Sequence, residues 1–308
     1  MNRQVDSATL SGGKLMNRQE EMFTPRLKSR QLRNAIFKWI FFGANVVGLL
    51  ALVLLLGDVV RDSWGWLDWD FITSFPSRFP EKAGIKAALF GTIWLMVITA
   101  LVAIPVGVAT AVFLEEYARK NRFYAAIQTN ISNLAGVPSI VYGILGLTIF
   151  VRWMMLGRSI LAGGLTMALL ILPIIIVAAQ ESLRSIPNSW RHASLALGAT
   201  RWQTIRYVVL PASLPGILTG VILALSRAIG ETAPLIPVGA LTFIMTVPKD
   251  FMDPFTVLPI QIYNWTSRPQ DEFRCIAAAG IIVLLIVLLS MNATAIFLRN
   301  KYQKKVVE

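Results

Sequence analysis

The chain has 308 residues, 55% of them hydrophobic, a mean hydropathy of +0.61 and a net charge of +12. Those values exclude an ordinary soluble domain and predict an all-α polytopic membrane protein. One cysteine, Cys275, excludes an internal disulfide framework, and one histidine, His192, argues against a His-based metal site. The basic excess sits in tails and loops beside apolar spans, as the positive-inside rule expects, so it does not call for a nucleic-acid partner.

Residues 1–34 are polar and of mixed charge. They hold no apolar core and no small-residue cleavage site, which predicts a disordered cytoplasmic tail and no cleavable signal peptide. Met1-Asn2-Arg3-Gln4 recurs as Met16-Asn17-Arg18-Gln19. The tail closes on Arg26, Lys28, Arg30 and Arg33, which suit an anionic inner leaflet.

Residues 35–84 are expected to hold the first membrane span, Ile36 to Gly57, and an external loop. Lys38 lies close enough to the span's end to snorkel. Trp64, Trp66 and Trp69 cluster with Asp62, Asp68 and Asp70, which reads as interfacial anchoring rather than a ligand cage. The core, 85–298, holds five more spans. Span two, Ile85 to Leu114, is longer than a hydrocarbon core of about 30 Å needs, and Pro105 predicts a kink in it. Glu115, Glu116, Arg119, Lys120 and Arg122 read as a loop. Span three opens with Leu134-Ala-Gly-Val-Pro138-Ser-Ile-Val-Tyr142-Gly143 and ends near Leu156; a proline is tolerated in a first turn. Span four is Ile160 to Ala179.

Pro187 to Pro211 is the least membrane-like stretch between two apolar spans, and it reads as helix, turn, helix. Asn188 or Ser189 can cap the first helix. Trp190, Ala193, Ser194 and Leu197 recur at helical spacing, and Gly198 suits the left-handed turn that ends a helix. Thr200 and Gln203 fit a capping box, Trp202, Ile205 and Val209 share a face, and Pro211 is expected to stop the second helix. Two readings stand: a connector on the membrane surface, or a knob that docks in a groove of a soluble partner.

Span five starts near Leu214 and contains Arg227-Ala-Ile-Gly230-Glu231-Thr232-Ala-Pro234. Arg227 and Glu231 are four apart, so they share a helix face and can pair. An arginine near the membrane centre costs about 2.5–3.5 kcal/mol on insertion scales. The two residues either neutralise each other as a structural pair or line a substrate path that favours oxyanions through the guanidinium fork. Residues 240–273 read as a long loop with Pro248, Pro254, Pro259 and Pro269. Span six, Ile276 to Leu298, carries no charge, and 299–308 is a basic tail. Six spans place both termini on one side. That side collects 19 Lys and Arg against 8 opposite, with Arg227 and Arg274 left out, so the ends and the hairpin are expected in the cytoplasm.

The spacing of the hairpin resembles the cytoplasmic loop of ABC importer permeases, whose pattern is Glu-Ala-Ala, three residues, Gly, nine residues, an aliphatic residue, one residue, Leu-Pro or a close variant. Ala193, Gly198, Leu210 and Pro211 match it; His192 and Ser194 depart from it. Ala-Gly-Val-Pro138-Ser-Ile-Val-Tyr-Gly143, the Leu197-Gly198-Ala199 of the hairpin and Arg227-Ala-Ile-Gly-Glu-Thr-Ala-Pro234 together look like the permeases of the phosphate-specific ABC importer, and Glu-Thr-Ala-Pro is similar to the second of its two permease subunits. The likeness covers about residues 36–300. It implies a six-helix type I ABC importer permease fold in a bacterial inner membrane, no catalysis by the chain itself, and half of a path for inorganic phosphate. It implies as partners a sister permease, two ATP-binding subunits that hold ATP and Mg, an external phosphate-binding protein and membrane lipids. The resemblance assigns ATPase coupling to His192, Ala193, Leu197, Gly198, Ala199, Leu210 and Pro211, and the substrate path to Arg227, Glu231 and Thr232. No cofactor is expected on the chain. Leu10-Ser11-Gly12-Gly13-Lys14 nearly spells the signature loop of ABC ATPases, but no G-x-x-x-x-G-K-[ST] phosphate loop accompanies it. Another oxyanion, such as sulfate or molybdate, and an autonomous channel or ion-coupled transporter remain as alternatives.

Overall fold

The computed structural model describes residues 27–240 and 243–307. Helix α1 runs Leu27–Ser63. It therefore begins inside the segment read as a disordered tail and ends beyond Gly57, because helical bonding propagates through residues that lack a breaker. The repeated Met-Asn-Arg-Gln and the Leu10–Lys14 run lie outside the described residues. The chain divides after Asp58 into two compact units. The first comprises most of α1, and the second carries the elements that follow.

Asp68 caps α2, Trp69–Thr73, by accepting from the Phe71 N–H at 2.7 Å. Helix α3, Lys86–Tyr117, passes through Pro105 and ends in a π-turn at Phe113–Tyr117. Asn121 accepts from the Tyr124 N–H and starts α4, Arg122–Leu134, where a loop was expected. Its buried Ile131 and part-buried Tyr124 and Ile127 lie against the core while polar residues face out, and that mixed composition hid it from a search for apolar spans. Helix α5, Ser139–Trp153, is shorter than expected. At about 1.5 Å per residue its 15 residues reach only about 22 Å. It turns by 105° from α4 across the Ala135–Pro138 break, so the pair counts at most as one interrupted crossing.

Ser159 caps α6, Ile160–Arg184, which continues through Pro173. The hairpin is α7, Asn188–Ala196, followed by α8, Arg201–Gly230. Then come α9, Leu235–Val238, and α10, Leu258–Thr266, the latter within what reads as a loop. Helix α11, Asp271–Val307, continues the last span into the expected tail. Among the described residues five helices are long and apolar enough to cross a membrane, or up to six with the bent pair. Among the described residues there is no strand.

Within the second unit α6 is central, packed by α3 on one side and α8 on another. Leu95 and Ile98 of α3, Met167, Ile171 and Ile175 of α6, and Val221 and Ala224 of α8 are buried together. A second cluster joins Phe71, Leu258, Trp265, Phe273 and Ile276 and seats α10 on α11. Thr92 accepts from the Leu258 N–H at 2.9 Å, so α10 is fastened to α3 as well.

Candidate functional site

Two places carry the residues singled out from the sequence. The first is the hairpin. Pro187 itself stands at the cap of α7, without a side-chain bond, so neither Asn188 nor Ser189 fills that role. The Asn188 amide oxygen instead accepts a long bond from Arg191 at 3.5 Å. Gly198 has φ +84°, the left-handed value that closes a helix. Both halves of the Thr200–Gln203 capping box form, at 3.3 and 2.8 Å. Ser194 and Thr204 hydroxyls meet at 2.9 Å and tie the two limbs together.

Pro211 does not stop the second limb. A π-turn at Ile205–Val209 precedes it, and the Leu210 N–H reaches back to the Ile205 carbonyl. That wider turn relieves the demand for the N–H that proline lacks and makes room for its ring. Helix α8 therefore runs on to Gly230. Ile205 and Val209 are buried, but Leu197 is 89% exposed, and Trp190, Leu195, Trp202 and Tyr207 are exposed with it. His192, Ala193 and Gly198 are exposed, whereas Ala199, Leu210 and Pro211 are half-buried. Most of the apolar face of α7 thus stays open.

The anchoring of this hairpin was not read from the sequence. Glu115 and Glu116 sit side by side in the π-turn of α3, with side chains only 7% and 12% exposed. Glu115 accepts from Arg184 at 2.6 Å and from Gln180 at 3.1 Å, both on α6. Gln180 is paired in turn with Gln128 of α4. Glu116 accepts from Arg191 of α7 at 2.7 and 3.1 Å. The available signal was two carboxylates at the end of one apolar span and two arginines past the end of another.

The second place is the end of α8. The helix stops at Gly230, and Glu231 is extended. Arg227 Nε donates to Glu231 Oε1 at 3.4 Å, a single long contact. Arg227 is 49% exposed and Glu231 21%, so the pair is not buried within its own chain. Thr232 accepts from the Leu235 N–H at 3.0 Å and opens α9. Tyr142 of α5 lies within electrostatic reach of Arg227, and its hydroxyl donates to the Leu134 carbonyl at 2.8 Å. Ser226 donates to Asn292 of α11 at 2.6 Å. The structure thus brings Arg227, Glu231 and Thr232 together and sets the Tyr142–Gly143 segment beside them.

Residues 103–303 match the family described as binding-protein-dependent transport system inner membrane component. The chain belongs to that family. It is 34% identical over 274 residues to the probable ABC transporter permease protein YqgI of Bacillus subtilis, covering 85% of this chain and 91% of that one. It is 31% identical over 284 residues to the phosphate transport system permease protein PstA 1 of Mycobacterium tuberculosis, covering 90% and 92%. It aligns with a chain of a bacterial alginate ABC transporter solved in complex with an alginate pentasaccharide-bound periplasmic protein, at a TM-score of 0.64 and 16% identity, over 88% of this chain and 96% of that one. The last likeness shows the fold: an all-α, type I ABC importer permease. As a member of the binding-protein-dependent transport family, the chain is a multi-pass membrane protein, with five or up to six candidate crossings among the described residues.

Proposed function

We propose that this chain is the permease subunit of an ATP-driven importer of inorganic phosphate, forming half of the translocation path beside a sister permease. One observation carries the reading: an apolar hairpin tip, crowned by Leu197 at 89% exposure, is held stiffly on the ends of membrane helices instead of folding against them. A mere connector gains by hiding such residues, whereas a docking knob needs them free. His192, Ala193, Leu197, Gly198 and Ala199 meet an ATP-binding subunit, and Leu210 and Pro211 set the base of the second limb. ATP and Mg belong to two such partner subunits. The chain performs no chemistry of its own and holds no cofactor. Both termini and the hairpin face the cytoplasm, in keeping with the charge asymmetry. An external phosphate-binding protein loads the opposite face.

Arg227, Glu231 and Thr232 line the path. A half-exposed guanidinium at a broken helix end offers planar donors to a tetrahedral oxyanion. Glu231 holds Arg227 in one state and releases it in another. The choice of phosphate is supported by the relatives named as phosphate permeases, 31% to 34% identical over most of the chain.

The test is the ATPase activity of the complete complex in proteoliposomes, with and without this subunit. Phosphate is expected to stimulate hydrolysis only when the subunit is present, and sulfate and molybdate are expected not to. Solute flux through the purified chain alone, or equal stimulation by sulfate, would overturn the reading.

A further inference from the structure

We propose that Glu116 and Arg191 form a rivet that delivers movement of the hairpin to α3 and α6, which makes Arg191 a positioning residue for transport. The proposal rests on the reading of the chain as an ATP-driven permease. Arg191 is bonded on two sides at once. Its Nη2 and Nε donate to Glu116 at 2.7 and 3.1 Å. Its Nη1 donates to the Ile186 carbonyl at 2.7 Å, and Nη2 also to the Leu183 carbonyl at 2.9 Å. Those carbonyls lie at and just past the end of α6, where a helix leaves acceptors unsatisfied and favours a cation. One guanidinium therefore joins α7, the last turn of α3 and the end of α6.

The neighbouring carboxylate makes a complementary join. Glu115 bonds Arg184 and Gln180 of α6, with the Tyr124 hydroxyl of α4 at 3.5 Å, and makes no bond to the hairpin. One carboxylate locks helix ends to each other, and the other locks the hairpin to those ends. Among the described residues no further ion pair joins α7 to the rest of the chain. The bonds are charge-assisted and largely shielded, the kind that holds geometry best and is costly to break on one side.

The experiment uses the complete complex in proteoliposomes with labelled phosphate. For Arg191→Gln, the ATP-binding subunits should still copurify while phosphate moved per ATP falls about tenfold, the scale of a coupling between two sites. Arg191→Lys, which keeps a cation between Glu116 and the carbonyls at the end of α6, should recover part of that ratio. Spin labels on Phe113→Cys and Ala196→Cys, with Cys275→Ser, should give one narrow distance that broadens in Arg191→Gln. An unchanged phosphate-to-ATP ratio in Arg191→Gln overturns the proposal, and so does loss of the ATP-binding subunits, which would make the pair a folding element only. If the unsubstituted complex hydrolyses ATP without response to phosphate, the permease reading fails instead. The label distance then decides the rivet: broadening supports it, and an unchanged distribution overturns it.

Discussion

Gly143 and Pro234 meet backbone to backbone: a β-carbon on Gly143 would lie 2.6 Å from the Pro234 carbonyl oxygen and 2.8 Å from its Cα. The two segments that resemble the phosphate permeases, Ala135 to Gly143 and Arg227 to Pro234, are thus one construction. Backbone cannot yield as a flexible side chain does, so any residue larger than glycine must part α5 from α9. Overpacking of this kind costs about 1–3 kcal/mol. Gly143→Ala should lower the unfolding midpoint of the detergent-solubilised protein and depress phosphate uptake. Gly48→Ala, in the interior of α1 where a β-carbon meets nothing within 4 Å, should not lower the midpoint. Equal midpoints for both variants would remove the argument.

Gly198 is a second position where only backbone freedom matters, since its φ is +84° and a β-carbon there meets no atom within 4 Å. A non-glycine residue held in this region costs about 1–2 kcal/mol, asparagine less. Gly198→Val should weaken capture of an ATP-binding subunit in a pull-down, whereas Gly198→Asn should retain it. Retention by both would show that the turn does not shape the docking surface.

The Arg227–Glu231 contact is single, long and half-exposed. Pairs of that quality contribute about 0–1 kcal/mol. Arg227→Gln is therefore expected to shift the unfolding midpoint by no more than a few degrees, on the usual scale of about 2–4 °C per kcal/mol for chains of 150–250 residues, and yet to abolish phosphate-stimulated ATPase activity. A large fall in stability with transport intact would mark the pair as structural.

Asp253 organises the loop between α9 and α10, which lies against the start of α6. Its carboxylate accepts the Lys249 and Asp250 N–H groups at 2.8 and 3.0 Å, which holds it below the ordinary value of 3.8. Carbonyls of the same loop, from Asp253 and Phe251, accept the otherwise free N–H groups of Ile160 and Leu161 at the start of α6. Because the folded value is depressed, this support is fully present above 3.8 and is lost as pH falls through the lower folded value. Hydrogen exchange should show protection of the Ile160 and Leu161 amides declining only in that acidic window. Asp253→Ala should show reduced protection already at neutral pH.

The hairpin was legible because its signals are local: a glycine past a helix end, a threonine with a glutamine three residues on, and open apolar positions at helical spacing. Its anchor was not, because Glu116 and Arg191 are 75 residues apart and each alone looks like a solvated loop charge. Helices α4 and α10 escaped a search for long apolar runs because both are short, and α4 is half polar. Pro211 misled because the remedy for its missing N–H, a widened turn just before it, depends on the packing of Ile205 and Val209 rather than on composition. The charge pair was found by spacing, but whether its charges are enclosed depends on neighbouring helices that spacing does not describe.

Helix α8 begins at Arg201, directly after the Gly198 turn, and ends at Gly230, one residue before Glu231. Its 30 residues span about 45 Å, so the docking knob and the charge pair are the two ends of a single shaft. Their angular phase is set by the π-turn at Ile205–Val209 and by the residue count that follows it: one residue more or fewer beyond that turn would swing Arg227 by about 100° around the axis. The length of this segment is then a timing constraint, and substitution along it is tolerable where insertion is not.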